Sequence, residues 1–159
     1  YAASTFFSVD RYASYMKEWK GFYEDGGIVL ADRYTTSNMV HQASKIADEA
    51  ERNSYLDWLW DLEFVKLGLP VPDLVIFLDV PPEISNNLIT KRNNKITGGS
   101  KKDIHESDRE YLIKTYLNAC RVAEKYGWKR IDCTYDNCLR SIEDIHNEIY
   151  EYVIQNLPL

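Results

Sequence analysis

No apolar run in these 159 residues approaches the roughly 20 that a membrane-crossing helix needs. No signal-peptide pattern precedes the first helical stretch. Cysteine is scarce: Cys120, Cys133 and Cys138 are odd in number and lack the C-x-x-C spacing of a metal site. They read as small buried hydrophobes in a reducing, cytoplasmic setting. Positive charge is also in deficit, and a net charge of −6 argues against a general binder of nucleic-acid polymers. Glycine is sparse, and none stands in the G-x-x-x-x-G-K-[S/T] arrangement whose backbone N–H groups wrap a triphosphate. Gly98-Gly99-Ser100 has neither a following Lys-Ser/Thr pair nor a preceding strand. What remains is a chain of a length and apolar content that suit one globular α/β domain.

The basic residues that are present cluster. From Lys91 to Lys102 the sequence reads K-R-N-N-K-I-T-G-G-S-K-K, with no acidic residue. A basic, glycine-containing stretch in an acidic protein suits an anion. Around it, helical and strand patterns alternate. Phe6, Val9, Tyr12 or Ala13, Met16, Trp19 and Phe22 or Tyr23 recur at helical spacing, predicting one amphipathic helix over the first 24 or so residues. Glu24-Asp25-Gly26-Gly27 ends it. Gly27 to Ala31 reads as a short buried strand, and a helix begins near Thr35 or Thr36. Asn53-Ser54 is placed to cap a further helix through Leu67. Asp73 to Val80 reads as a second buried strand, followed by a proline-started helix at Pro81-Pro82-Glu83. A long helix is expected from about Ser107 to Tyr126, a third strand from Trp128 to Cys133, and a last helix capped by Ser141 with Ile142, Ile145, Ile149, Tyr152 and Val153 along it. Helices alternating with strands indicate a parallel sheet.

The most informative stretch is Asp32-Arg33-Tyr34, which follows the apolar run 27–31 and leads into Thr35-Thr36-Ser37-Asn38-Met39-Val40-His41-Gln42. A strand there would deliver a carboxylate and a guanidinium to its carboxyl end, where open parallel sheets bind ligands. Arginine offers a planar, permanently charged fork for a phosphate. The stretch resembles the D-R-Y-x-x-S-x-x-x-x-Q signature of thymidylate kinases, and the resemblance runs in order along essentially the whole chain.

That resemblance implies a P-loop nucleoside-monophosphate-kinase-like α/β fold that phosphorylates dTMP with ATP and Mg2+. Thr5 to Arg11 looks like the helix lining a thymine pocket. Phe7 would stack on the base and Arg11, one turn on, would bond its O4. Arg33 would bind the acceptor phosphate, and Asp32 would sit by the magnesium and its waters. Tyr34 would pack beneath the deoxyribose, Ser37 and Asn38 would flank base or sugar, and Gln42 would present its amide to the imide edge of thymine. The basic stretch occupies the place of the family's lid, about 91–106, with Arg92 reaching the transferring phosphoryl group and Lys91 and Lys95 assisting. Asp103-Ile104-His105-Glu106 departs from the D-R-x-E-like run usual there. Thr134-Tyr135-Asp136-Asn137 would border adenine. A homodimer is implied as well, for which Tyr12, Tyr15 and Trp19 are available.

In that family a first strand, the phosphate cradle and a second strand lie upstream of the opening helix. Two β–α units of roughly 30 residues suggest about 50–70 residues not present in this chain. Strands 27–31 and 73–80 would then have unpaired inner edges, so the expectation is that an upstream segment or another chain completes the fold. Two other classes fit the same residues: a deoxynucleoside kinase-like enzyme, and a non-catalytic nucleotide-binding fragment.

Overall fold

Serines, not the apolar stripe, mark the packed face of the first helix. The computed structural model describes residues 1–86, 88 and 104–157, the last stretch with side chains from 109 onward. These fall into two compact units, Tyr1–Val71 and Pro72–Leu159. In the first, helix α1 (Ala2–Ser14) continues through a π-turn at Tyr15–Trp19 into α2 (Lys20–Glu24). The predicted helix is therefore present, with a widened turn inside it. Its buried residues are Ser4, Ser8 and Tyr15, whereas Phe6, Val9, Met16 and Phe22 are exposed, Phe6 by 78%. At about 100° per residue, Ser4 and Ser8 lie opposite Phe6 and Val9 on the helix. Phe6, Val9, Met16 and Phe22 of the expected apolar stripe thus face outward, whereas Trp19 packs edge-on against Tyr15, Tyr23 and Tyr34, and Tyr15, considered for a dimer contact, is core.

Next come α3 (Thr35–His41), a 3-10 turn at Ala43–Lys45, and α4 (Glu49–Trp60), which runs on through a second π-turn, Asp61–Lys66. Asp48 caps α4 by accepting the Glu51 N–H at 2.8 Å. The cap expected at Asn53-Ser54 lies inside the helix, where the Ser54 hydroxyl bonds back to the Ala50 carbonyl instead. Met39, Ala43, Tyr55, Leu56, Leu59 and Leu69 supply the apolar core. The Tyr55 hydroxyl meets Ser4 Oγ at 2.7 Å, tying α4 to α1. Tyr1 packs edge-on against Tyr55 and Trp58, an arrangement favoured by the ring quadrupoles.

Gly27–Ala31 is not a buried strand. Ile28, Val29 and Leu30 are exposed, Leu30 by 96%, and the segment joins no ladder among the described residues. A strand needs a neighbour to take up its N–H and C=O groups, and apolar composition does not supply one.

The second unit holds a small parallel sheet. Strand β1 (Ile76–Asp79) pairs with β2 (Lys129–Asp132), from Ile76 opposite Lys129 to Asp79 opposite Asp132. The mixed helix–strand reading with parallel pairing is met here. The strand expected over Asp73–Val80 is shorter, and Leu78 is half exposed. Residues 82–86 are helical, the Pro81 carbonyl accepting the Ile84 and Ser85 N–H groups. Helix α5 (Ile104–Lys125) begins inside the stretch expected to be lid, so 104–106 is helix. Lys91, Arg92 and Lys95 lie outside the described residues.

Gly127, at φ +65, closes α5. The Trp128 N–H reaches the Ala123 carbonyl and the Gly127 N–H that of Glu124, the paired bonds of a Schellman end. Strands β3 (Thr134–Tyr135) and β4 (Cys138–Leu139) form a hairpin where the sequence suggests a plain loop. Asp136 and Asn137 both have positive φ, as its mirror-image turn requires. This puts Cys138 in an exposed position, so among the cysteines only Cys133 is a buried hydrophobe. Helix α6 (Ile142–Asn156) is capped by Ser141 as expected. Ala119, Val122, Ala123, Ile131 and Cys133 form the core of this unit. Among the described residues no helix is long and apolar enough to cross a membrane.

Moving the α4 cap from Ser54 to Asp48 has a measurable consequence. Asp48→Ala is expected to cost about 1 kcal/mol, and Ser54→Ala distinctly less. Urea unfolding of the two variants checks this, and the reverse order would contradict the cap.

Candidate functional site

Glu63, in the π-turn Asp61–Lys66, has no exposed surface. Four side chains from two helices close around its carboxylate. From α1, Arg11 Nη1 donates to both oxygens at 2.8 and 2.6 Å, and Ser8 Oγ donates to Oε1 at 2.8 Å. From α3, Thr35 Oγ1 donates to Oε2 at 2.6 Å and Asn38 Nδ2 to Oε1 at 3.3 Å. Removing a carboxylate from water costs several kcal/mol unless a partner charge and further donors replace the lost hydration. Here Arg11 supplies the charge, and the hydroxyls and amide supply the donors.

Arg11 is fixed at its other end too. Its Nη2 donates to the Tyr34 carbonyl at 3.2 Å, and the guanidinium lies 5.5 Å from the Tyr34 ring centroid. Tyr34 is the residue that enters α3. Its hydroxyl donates to the Pro70 carbonyl, and burial pushes the phenol pKa well above its usual value. One carboxylate in the Asp61–Lys66 π-turn therefore sets the placement of α1 against the start of α3.

The residues singled out from sequence that the structure describes sort into four groups. Arg11, Tyr34 and Asn38 belong to the Glu63 network. Arg33 and Ser37 form a second pair, with Arg33 Nε donating to Ser37 Oγ at 3.0 Å. Arg33 holds φ +73, a left-handed backbone uncommon for a side chain of its size, of a kind that clusters at ligand sites. Asp32 and Phe7 are exposed. Gln42 stands at the end of α3, where its Oε1 accepts Lys45 Nζ at 3.0 Å.

Sequence reasoning misses Ser8, Thr35, His41 and above all Glu63. A signal for Glu63 is present: Tyr55, Leu59 and Glu63 succeed one another at four-residue spacing, so the carboxylate continues a face that is otherwise core. His41 carries an electrostatic signature. Burial first, then the charges of Arg33 and Lys45, hold its pKa below 6.5. The positive charges of Arg33 and Lys45 therefore both act at His41 and disfavour its protonation.

Among the described residues no group of three or more His, Cys, Asp or Glu could hold a metal ion. Asp32 does offer one exposed carboxylate. That fits magnesium, which takes one or two carboxylates and keeps water and phosphate oxygens as its other ligands.

A family model described as thymidylate kinase matches residues 1–149. A probable thymidylate kinase of Thermococcus onnurineus is 32% identical over 156 residues, covering 98% of this chain and 66% of that protein. A thymidylate kinase of Mycobacterium tuberculosis is 30% identical over 128 residues, covering 80% of this chain and 58% of its own length. A probable thymidylate kinase of Pyrococcus horikoshii is 30% identical over 158 residues, with 98% and 66% covered. The chain thus spans 58% to 66% of the length of these relatives.

The His41 environment fixes the sign of a pH effect. Its folded-state pKa is lowered from 6.5, so below that value the unfolded chain binds a proton the folded chain resists. Stability is expected to fall as pH drops through this window. Denaturant midpoints measured between about pH 7.5 and 5.5 should decline less in His41→Gln than in the wild type. Parallel declines would remove His41 as a source.

Proposed function

The chain belongs to the thymidylate kinase family, and we propose that it carries the acceptor half of an enzyme converting dTMP to dTDP with ATP. The observation that carries this reading is the Arg33–Ser37 pair at the entry to α3, where Arg33 takes a left-handed backbone and its positive field, with that of Lys45, is felt at His41. An arginine fork oriented by a hydroxyl, with a lysine beyond it on the same stretch, suits a phosphate monoester.

The chemistry asks little of the protein beyond placement. A nucleoside monophosphate brings its own anionic oxygen as nucleophile, so no general base is required, and catalysis reduces to alignment and neutralisation of charge. Arg33 grips the acceptor phosphate. Asp32 would hold magnesium through its waters, and the metal would supply neutralisation of phosphate charge. Phe7 stacks on the base, Tyr34 backs the deoxyribose, and Arg11 and Asn38 face the edge of thymine. Ser37 keeps Arg33 in place. Gln42, whose amide oxygen is taken by Lys45, turns its N–H donors to the ligand. Arg92, Lys91 and Lys95 are assigned to the lid, on their charge and their position between two helices.

The same reading treats residues 1–159 as part of one P-loop nucleoside-monophosphate-kinase-like domain in a cytoplasmic enzyme. The phosphate cradle for ATP is assigned to residues outside these 159, because no glycine here stands in the required arrangement. Phe6, Val9 and Met16, exposed on the first helix, suit packing against a second copy.

Arg33→Ala is expected to weaken dTMP binding by about a hundredfold, two charge-assisted hydrogen bonds being lost, while the melting temperature stays unchanged. Calorimetric titration with dTMP checks this, and an affinity within a fewfold of wild type would remove Arg33 from the site. Phe7→Ala is expected to weaken dTMP binding about tenfold through lost stacking. An unchanged dissociation constant would exclude Phe7. Release of ADP from ATP, magnesium and a panel of nucleoside monophosphates, in protein that also carries the cradle, tests the reaction itself. Turnover selective for dTMP is the expected result.

A further inference from the structure

A row of polar groups runs along α3 and starts before its first residue. Arg33, in the turn ahead of the helix, donates from Nε to Ser37 Oγ at 3.0 Å. His41, the last residue of α3, stands four positions beyond Ser37 and so projects from the same side of the helix, one turn on. Lys45 follows after four more, in the 3-10 turn, with Nζ on Gln42 Oε1 at 3.0 Å. Burial of the imidazole, then the positive charges of Arg33 and Lys45, disfavour its protonated form. The other charged groups around α3 are committed elsewhere: Glu63 to Arg11 at 2.6 Å, Asp48 to the Glu51 N–H and Arg52 to the Ile46 carbonyl. In the free protein at pH 7, His41 is therefore neutral.

We propose that binding of a phosphate monoester at Arg33 draws a proton onto His41, which becomes an added positive charge one helical turn beyond Ser37. This rests on the acceptor-site reading above. A phosphate monoester carries a charge of about −1.5 to −2 at pH 7. Set on Arg33, it cancels the guanidinium and leaves an excess of negative charge beside the row. The field that opposed the imidazolium then favours it. The effect is reciprocal: if the bound anion raises the proton affinity of His41, protonated His41 raises the affinity for the anion by the same factor. Affinity for the dianion therefore rises as pH falls from about 8 to about 6.5, until protonation of the phosphate itself, near pH 6, works against it. The nucleoside without its phosphate brings no such charge and leaves His41 neutral.

The test is calorimetric titration of the full chain, wild type and His41→Gln, with dTMP at about pH 6.5. Two buffers of different ionisation enthalpy are used, and the difference in observed heat gives the protons exchanged on binding. The phosphate's own proton enters both proteins alike, so the comparison isolates the imidazole. The wild type should take up about half a proton more than His41→Gln. Equal uptake in the two proteins overturns the proposal.

Should that variant fail to fold or to bind, the His41 ring is followed in the wild type by proton NMR across the same pH range. Its proton affinity should rise about tenfold when the chain is saturated with dTMP, and stay unchanged with thymidine, which lacks the phosphate. A proton affinity that stays put with dTMP, or that rises equally with thymidine, overturns the proposal. A wild type that binds no dTMP defeats the acceptor-site reading and this proposal together, whereas dTMP binding without proton uptake at His41 defeats this proposal alone.

Discussion

A negative charge held away from water organises the first unit of this protein. Glu63 gathers Ser8 and Arg11 from α1 with Thr35 and Asn38 from α3, and Arg11 passes the constraint on to the Tyr34 carbonyl. An aliphatic side chain at this position would fill space but would not orient its neighbours. The carboxylate dictates a donor from each group around it, so packing and polarity are settled together. This explains why the inner face of α1 carries serines and an arginine while its phenylalanine and valine point outward. Such pairs are poor sources of net stability, and their value lies in the single arrangement they permit.

The second unit is built differently. Its parallel pair is short, and β1 has a partner on one side only among the described residues. Asp79 ends β1 buried, with Oδ2 on Arg130. Tyr116 hydrogen-bonds the same carboxylate, and burial followed by that bond raises the pKa of its phenol. Both units thus place a buried acid beside an arginine, but of the two only Glu63 has both carboxylate oxygens hydrogen-bonded, since Asp79 Oδ1 has no partner among the described residues.

The sequence reveals those features whose determinants are local. The Ser141 cap, the Gly127 stop and the start of α3 at Thr35 each depend on a few adjacent residues, and each is found. The expectations that fail depend on a neighbour far along the chain. Residues 27–31 have the composition of a strand, but a strand is a pairing and not a property of five residues. The stripe from Phe6 to Met16 has helical spacing, but spacing does not say which face meets the core. In the site, the Arg33–Ser37 pair is legible because its members are four residues apart. For Glu63 the four-residue spacing from Leu59 marks burial alone, and its partners stay hidden because they lie between 25 and 55 residues away.

The two π-turns carry a consequence for how this chain can change. A helix accommodates such a turn by taking in one residue more than the α repeat allows. Residues on either side are therefore phased to each other by that surplus. Loss of a single residue from Asp61–Lys66 removes that surplus and lets the turn relax to ordinary α geometry with the residues on either side still in phase. Loss of one residue from the regular part of α4 instead rotates everything downstream by about 100°. Tyr34, through its bond to Pro70, would then be pulled against a segment turned out of register. One-residue alignment gaps among functional members of this lineage should accordingly fall within the widened turns and not within α4.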